Sequence, residues 1–181
     1  MVLQRFAIAC LLFLTLATPA AAQVYQFFRI EGPPSSPGGP TVQATSGISS
    51  PAISGDNRTI VFFAASGSNL SGGASGQQVV AYSVGTGLLS LVSVAPGGGP
   101  SAGGGSGASG VLAISANGRY VAFETTSSTY TGGASGVHIV RMDRQTGTAT
   151  RVNVDTAGNL PNATTSRLGG MSGDGQFVVF S

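Results

Sequence analysis

Lysine and tryptophan are absent from this chain of 181 residues, cysteine and histidine occur once each, and charged side chains make up only 8% of it. Each shortage excludes something. The one cysteine, Cys10, sits in an apolar run near the N-terminus, so the rest of the chain has no thiol for a disulfide or a nucleophile. The one histidine, His138, has no second His or Cys beyond that run to complete a metal site. After residue 22, seven arginines face six carboxylates. A net charge this small is far from the basic footprint that nucleic acid requires.

The N-terminus is the clearest local signal. Arg5 precedes an apolar run from Phe6 to Leu16 that leads into Ala20-Ala21-Ala22. A charged start, a short apolar centre and a small-residue exit predict a secretory signal peptide over residues 1–22, cleaved before Gln23. The alternative is a retained anchor, but the run falls short of the ~20 residues that a spanning helix needs. No stable membrane insertion is expected after removal, and Cys10 leaves with the signal.

Downstream, a block of about sixty residues occurs twice and a third copy opens. Gly72-Gly73-Ala74-Ser75-Gly76 returns as Gly132-Gly133-Ala134-Ser135-Gly136, and Thr86-Gly87 returns as Thr146-Gly147. Within each copy, Ile60-Val61-Phe62-Phe63, Tyr120-Val121-Ala122-Phe123 and Phe177-Val178-Val179-Phe180 are short runs rich in β-branched and aromatic residues, which read as strands. Asp56-Asn57, Asn117-Gly118 and Asp174-Gly175 stand before them as hairpin turns. A second hairpin joins Val79–Tyr82 to Leu91–Val94 through Thr86-Gly87, and Val137–Met142 to Thr150–Val154 through Thr146-Gly147. Four short antiparallel strands per period predict an all-β chain built of β-propeller blades, with a single β-sandwich as the runner-up. The expected boundaries are an N-terminal strand and Pro/Gly-rich linker over 23–47, blade 1 over 48–108, blade 2 over 109–165 and the start of blade 3 over 166–181. Two whole blades cannot close a ring, so a fragment, or blades supplied by other subunits, is expected. Residues 24–30 are expected to form the strand that closes such a ring.

Ile114-Ser115 with Asn117-Gly118-Arg119-Tyr120-Val121-Ala122-Phe123, then Val137-His138-Ile139-Val140, Asp143, Thr146-Gly147 and Arg151-Val152, resembles TolB-type bacterial β-propeller repeats. The first and third copies match the pattern more loosely. The resemblance spans nearly all of residues 48–181 and implies a periplasmic or extracellular protein. It implies an exported non-catalytic scaffold for protein or glycan binding, or the accessory propeller portion of a hydrolase whose catalytic residues lie beyond residue 181. It implies a fold more than a reaction.

No catalytic, cofactor-binding or metal-binding residue emerges from the sequence, and no cofactor is expected. His138 occupies the place that Gln78 has in the first copy and reads as a partly buried or edge residue. Asp56 and Asp174 could pair as acid and base or hold calcium, but both occupy hairpin turns, where Asp is favoured for backbone reasons. Gly103-Gly104-Gly105-Ser106-Gly107 lacks the lysine and following helix of a phosphate loop. Gly73-Ala74-Ser75-Gly76 is duplicated, as a structural turn would be. Alternate connections of a blade lie at opposite ends, so the tight turns should share one face. The Gly/Ser-rich connections 64–76, 95–109, 125–136 and 155–166 should share the other, and partner binding is expected there.

Overall fold

The computed structural model describes residues 31–34, 41–43, 47–71, 76–96, 100–101, 110–160 and 165–181. The signal peptide and the expected closing strand at 24–30 lie outside these residues. A short antiparallel pair, β1 (Glu31–Pro34) with β2 (Thr41–Gln43), comes first. The first four-stranded sheet contains β3 (Ile48–Ile53), β4 (Thr59–Ala64), β5 (Gln78–Ser83) and β6 (Leu89–Leu91). The second contains β7 (Leu112–Ile114), β8 (Tyr120–Thr125), β9 (His138–Asp143) and β10 (Thr148–Arg151). β11 (Leu168–Met171) and β12 (Val178–Phe180) form a third, two-stranded sheet. Both four-stranded sheets are antiparallel meanders in which each strand pairs with its chain neighbour. The protein is thus all-β and built of repeated four-stranded units, and the described residues form no closed ring. Among them, no helix is long and apolar enough to cross a membrane.

Successive side chains of a strand point to opposite faces, so apolar runs such as Val61-Phe62-Phe63 need cover on both sides. Stacked units supply it. Val61, Phe63, Val79 and Ala81 on one face of the first sheet pack against Leu112, Val121, Phe123, Val140 and Met142 of the second. The second sheet turns its other face, Ala122 and Ile139, to Leu168, Met171 and Val178 of the third. On the first sheet, Phe62, Ala64 and Val80 gather with Leu70 on the face turned away from the second. The second unit therefore offers one parity of side chains to its predecessor and the other to its successor.

The expected last strand of each unit is displaced. It covers Leu89–Leu91 and Thr148–Arg151, ending before Val94 and Val154. After Leu91 the chain turns, with the Val92 and Ser93 amides both directed at the Val79 carbonyl, and this buries both side chains. The connection after β8 is also more than a spacer. Ser127 caps a one-turn helix, α1 (Ser128–Thr131), which ends at Gly132 with φ 66°. It places Tyr130 edge-on to Phe123, with ring centroids 5.8 Å apart, and the Tyr130 hydroxyl donates to the Val94 carbonyl of the first unit at 3.0 Å.

At the opposite end the tight turns touch one another. The Asp56 amide donates to the Ala116 carbonyl at 2.8 Å, and the Ala116 amide donates to the Gly173 carbonyl at 2.7 Å. Beside these bonds Thr59 lies on Gly118, and the Tyr120 ring lies on Gly175, whose φ is 74°. A methyl group at Gly175 would press into that ring. The third unit leaves its forward face open: Phe177 and Val179 are 72% and 67% exposed. Gly175→Ala is expected to destabilise the fold by about 2–4 kcal/mol through overpacking and backbone strain together. Gly147→Ala, at φ 70° with open space around it, should cost only about 1 kcal/mol from the left-handed backbone alone. Urea unfolding of the two variants checks the difference, and equal losses would refute the role given to the Tyr120 contact.

Candidate functional site

The in-register acidic and amide residues are consumed by the backbone. Asp56 Oδ1 accepts from the Ser54 hydroxyl at 2.6 Å and from the Arg58 amide at 3.0 Å, while Ser54 Oγ accepts from the Thr59 amide at 3.0 Å. Ser115 with Asn117 and Ser172 with Asp174 repeat the same three bonds. The Ser hydroxyls hold the Asp56 and Asp174 carboxyls below their ordinary value, the opposite of what a general acid needs. Left-handed backbone falls only on the second residue of each pair, at Asn57, Gly118 and Gly175. The first residue is chosen for its acceptor oxygen.

His138 belongs to a buried polar cluster. Its Nε2 lies 3.1 Å from the Ser135 carbonyl, which only accepts, so that nitrogen carries the proton. Nδ1 lies 3.2 Å from Asn153 Nδ2 and accepts from it. Asn153 also donates to Ser166 Oγ at 3.0 Å and accepts from the Ile139 amide at 3.1 Å. The first unit solves the same problem with Gln78 and Ser93: Ser93 Oγ donates to Gln78 Oε1 at 2.6 Å and accepts from the Val79 amide at 3.0 Å. His138 is therefore 2% exposed, deeper than a partly buried or edge position. It ties the end of one unit to the start of the next.

Charged pairs reinforce the same junctions. Glu124, 1% exposed, stands where the first unit has Phe63. It accepts from the Leu168 amide at 2.9 Å and from Arg167 Nη1 at 3.2 Å, so it holds the start of β11. Arg141 lies over the Tyr120 ring at 4.8 Å and donates to the Gly175 carbonyl at 2.8 Å. None of these partners was evident from the sequence, because each depends on which unit face a residue occupies.

Arginines also line an open depression of about 440 Å³ at the turn end of the second unit, bounded by Asn117, Gly118, Arg119, Arg144 and Gln145. Strand register brings Tyr120 opposite Asp143, and so sets the preceding Arg119 beside that carboxylate. Its guanidinium grips Asp143 in two parallel bonds of 3.0 and 2.7 Å. Arg119 holds the Asp143 carboxyl far below its ordinary value, helped by the Gln145 amide. Arg144 Nη1 donates to the Gly118 carbonyl at 2.6 Å, and Nη2 reaches Ser90 Oγ of the first unit at 3.4 Å. Burial lowers the Arg144 pKa, and among the described residues it has no carboxylate partner. Tyr130, at the far end, has its phenol pushed up to about 12 by burial.

No protein-family model matches the chain, and no curated protein does. Among solved structures it is similar to TolB from Acinetobacter baumannii. Identity is 16% and the TM-score 0.48, over 78% of this chain and 27% of that one. The chain thus spans about a quarter of that protein's length.

The Gly/Ser-rich connections where partner binding was expected are described only in part: 72–75, 97–99, 102–109 and 161–164 lie outside the described residues, as does Gly103–Gly107. The depression lies among the tight turns instead. Asn153→Ala strands the buried Ile139 amide and is expected to cost about 1–3 kcal/mol in calorimetric or urea unfolding. Loss below a few tenths of that range would refute the role given to this cluster. A carboxyl with a depressed folded pKa adds stability that is fully present above its unfolded value, 3.8, and vanishes as pH falls through the folded value. The stability difference between the native chain and Arg119→Gln should therefore stay constant from pH 7 to about 5 and shrink below about 4. Unfolding at a series of pH values checks this, and a difference that grows on acidification would contradict the assignment.

Proposed function

We propose that the chain is an exported, non-catalytic β-propeller scaffold of the TolB type that its repeats resemble, acting in the periplasm or outside the cell by binding a protein or glycan. The observation that carries this reading is the duty of the repeated polar residues. Ser54 with Asp56, Ser115 with Asn117, Ser172 with Asp174, Gln78 with Ser93 and His138 with Asn153 all complete backbone turns or seal unit junctions. Repetition has been used for rigidity, and a rigid frame with variable connections suits recognition.

The test uses the full chain, exported and affinity-tagged, with Asp56→Asn and Asp174→Asn as variants. Asn already serves as the turn acceptor at Asn117, so both variants should fold. Cross-linked capture from periplasmic extract and medium should enrich one protein or glycan saturably, and equally for all three proteins. Failure to capture any partner, or a hydrolytic turnover abolished by either variant, would overturn the scaffold reading.

A further inference from the structure

The depression at the turn end of the second unit is built like a receptor for one negative charge. It is lined by two guanidiniums, and the one carboxylate beside it, Asp143, is already engaged by Arg119 and the Gln145 amide. Arg144 is fixed by the Gly118 carbonyl and Ser90. Its charge is half-buried and, among the described residues, unpaired, and such a charge gains from a counter-ion. Both guanidiniums are held before any ligand arrives, so little side-chain entropy is lost on binding. Further donors face the same space. Asn117 uses its oxygen within its own turn, which leaves its amide NH₂ available, and the exposed Gln145 side chain makes no hydrogen bond among the described residues.

We infer that this depression binds a carboxylate presented by a partner polypeptide, either an acidic side chain or a chain terminus, with Arg144 as the principal contact and Arg119, Asn117 and Gln145 around it. One net positive charge matches a monoanion, and a phosphate dianion would be left undercompensated. The lining contains no aromatic ring for a sugar face to lie on, so a polypeptide carboxylate fits better than a uronic acid. The inference deepens the scaffold reading and rests on it, adding a binding position among the tight turns.

The probe is acetyl-Glu-amide, which carries one carboxylate, titrated into the full-length protein while amide NMR shifts of Gly118 and Gln145 are followed. Acetyl-Gln-amide, glucuronate and inorganic phosphate form the comparison arms. Saturable shifts at both amides are expected with acetyl-Glu-amide, with at least about tenfold weaker responses in the other three arms, the loss of one charge-assisted contact. Arg144→Gln should weaken binding at least about tenfold. Because that change also loosens the contact with Ser90, Gln145→Glu is the second variant. It adds a repelling carboxylate without touching the frame, and it should abolish the shifts while unfolding stays unchanged. No saturation, equal response to the neutral probe, equal or tighter binding of glucuronate or phosphate, or undiminished binding by Gln145→Glu would each overturn the inference. Partner capture with a failed titration removes this site and leaves the scaffold reading; a positive titration without any capture does the reverse.

Discussion

The central strands of each unit are apolar on both faces, and everything else in the structure answers that constraint. Val61 and Phe63 cannot be buried by their own sheet, because a sheet one layer thick has no inside. They are buried by Val121 and Phe123 of the next unit, while Ala122 and Ile139 are buried by Leu168 and Val178 of the one after. Burying a large apolar side chain contributes roughly 1.5–3 kcal/mol, so each junction gathers its stability from the neighbour and not from within the unit. Stability in such an array is approximately a sum over units and junctions.

Polar groups then decide the register of that stacking. Apolar faces slide over one another at little cost, but hydrogen bonds do not. The turn-to-turn bonds from Asp56 to Ala116 and from Ala116 to Gly173 fix one end of each junction. At the other end Tyr130 on the Val94 carbonyl fixes the first junction, and His138 with Asn153, and Glu124 with Leu168, fix the second. A buried carboxylate such as Glu124 is tolerated because both oxygens have donors. Its counterpart in the first unit is Phe63, so the two junctions reach comparable burial by different chemistry.

The candidate site is a by-product of this arrangement. The two hairpins of a unit return side by side, with the Val84 amide on the Arg58 carbonyl and the Arg144 amide on the Arg119 carbonyl. In the second unit both turns carry arginine, and the depression forms between them. In the first unit the residue corresponding to Arg144 is Val84, so the same geometry presents no second charge there. Repetition built the frame, and departure from repetition built the difference.

Sequence alone determined the all-β class, the sixty-residue period, the strand centres and the turn positions. These depend on local properties: side-chain alternation, β-branching, and the few residues that tolerate a tight turn. It also identified Asp56 and Asp174 as turn residues, for the same local reason. Tertiary structure decided the pairing of Arg119 with Asp143, the unpaired Arg144, the anchoring of β11 by Glu124 and the position of Tyr130 against Val94. Those contacts join residues distant along the chain, and a single-sequence pattern records what each residue prefers but not which face of which unit it will meet.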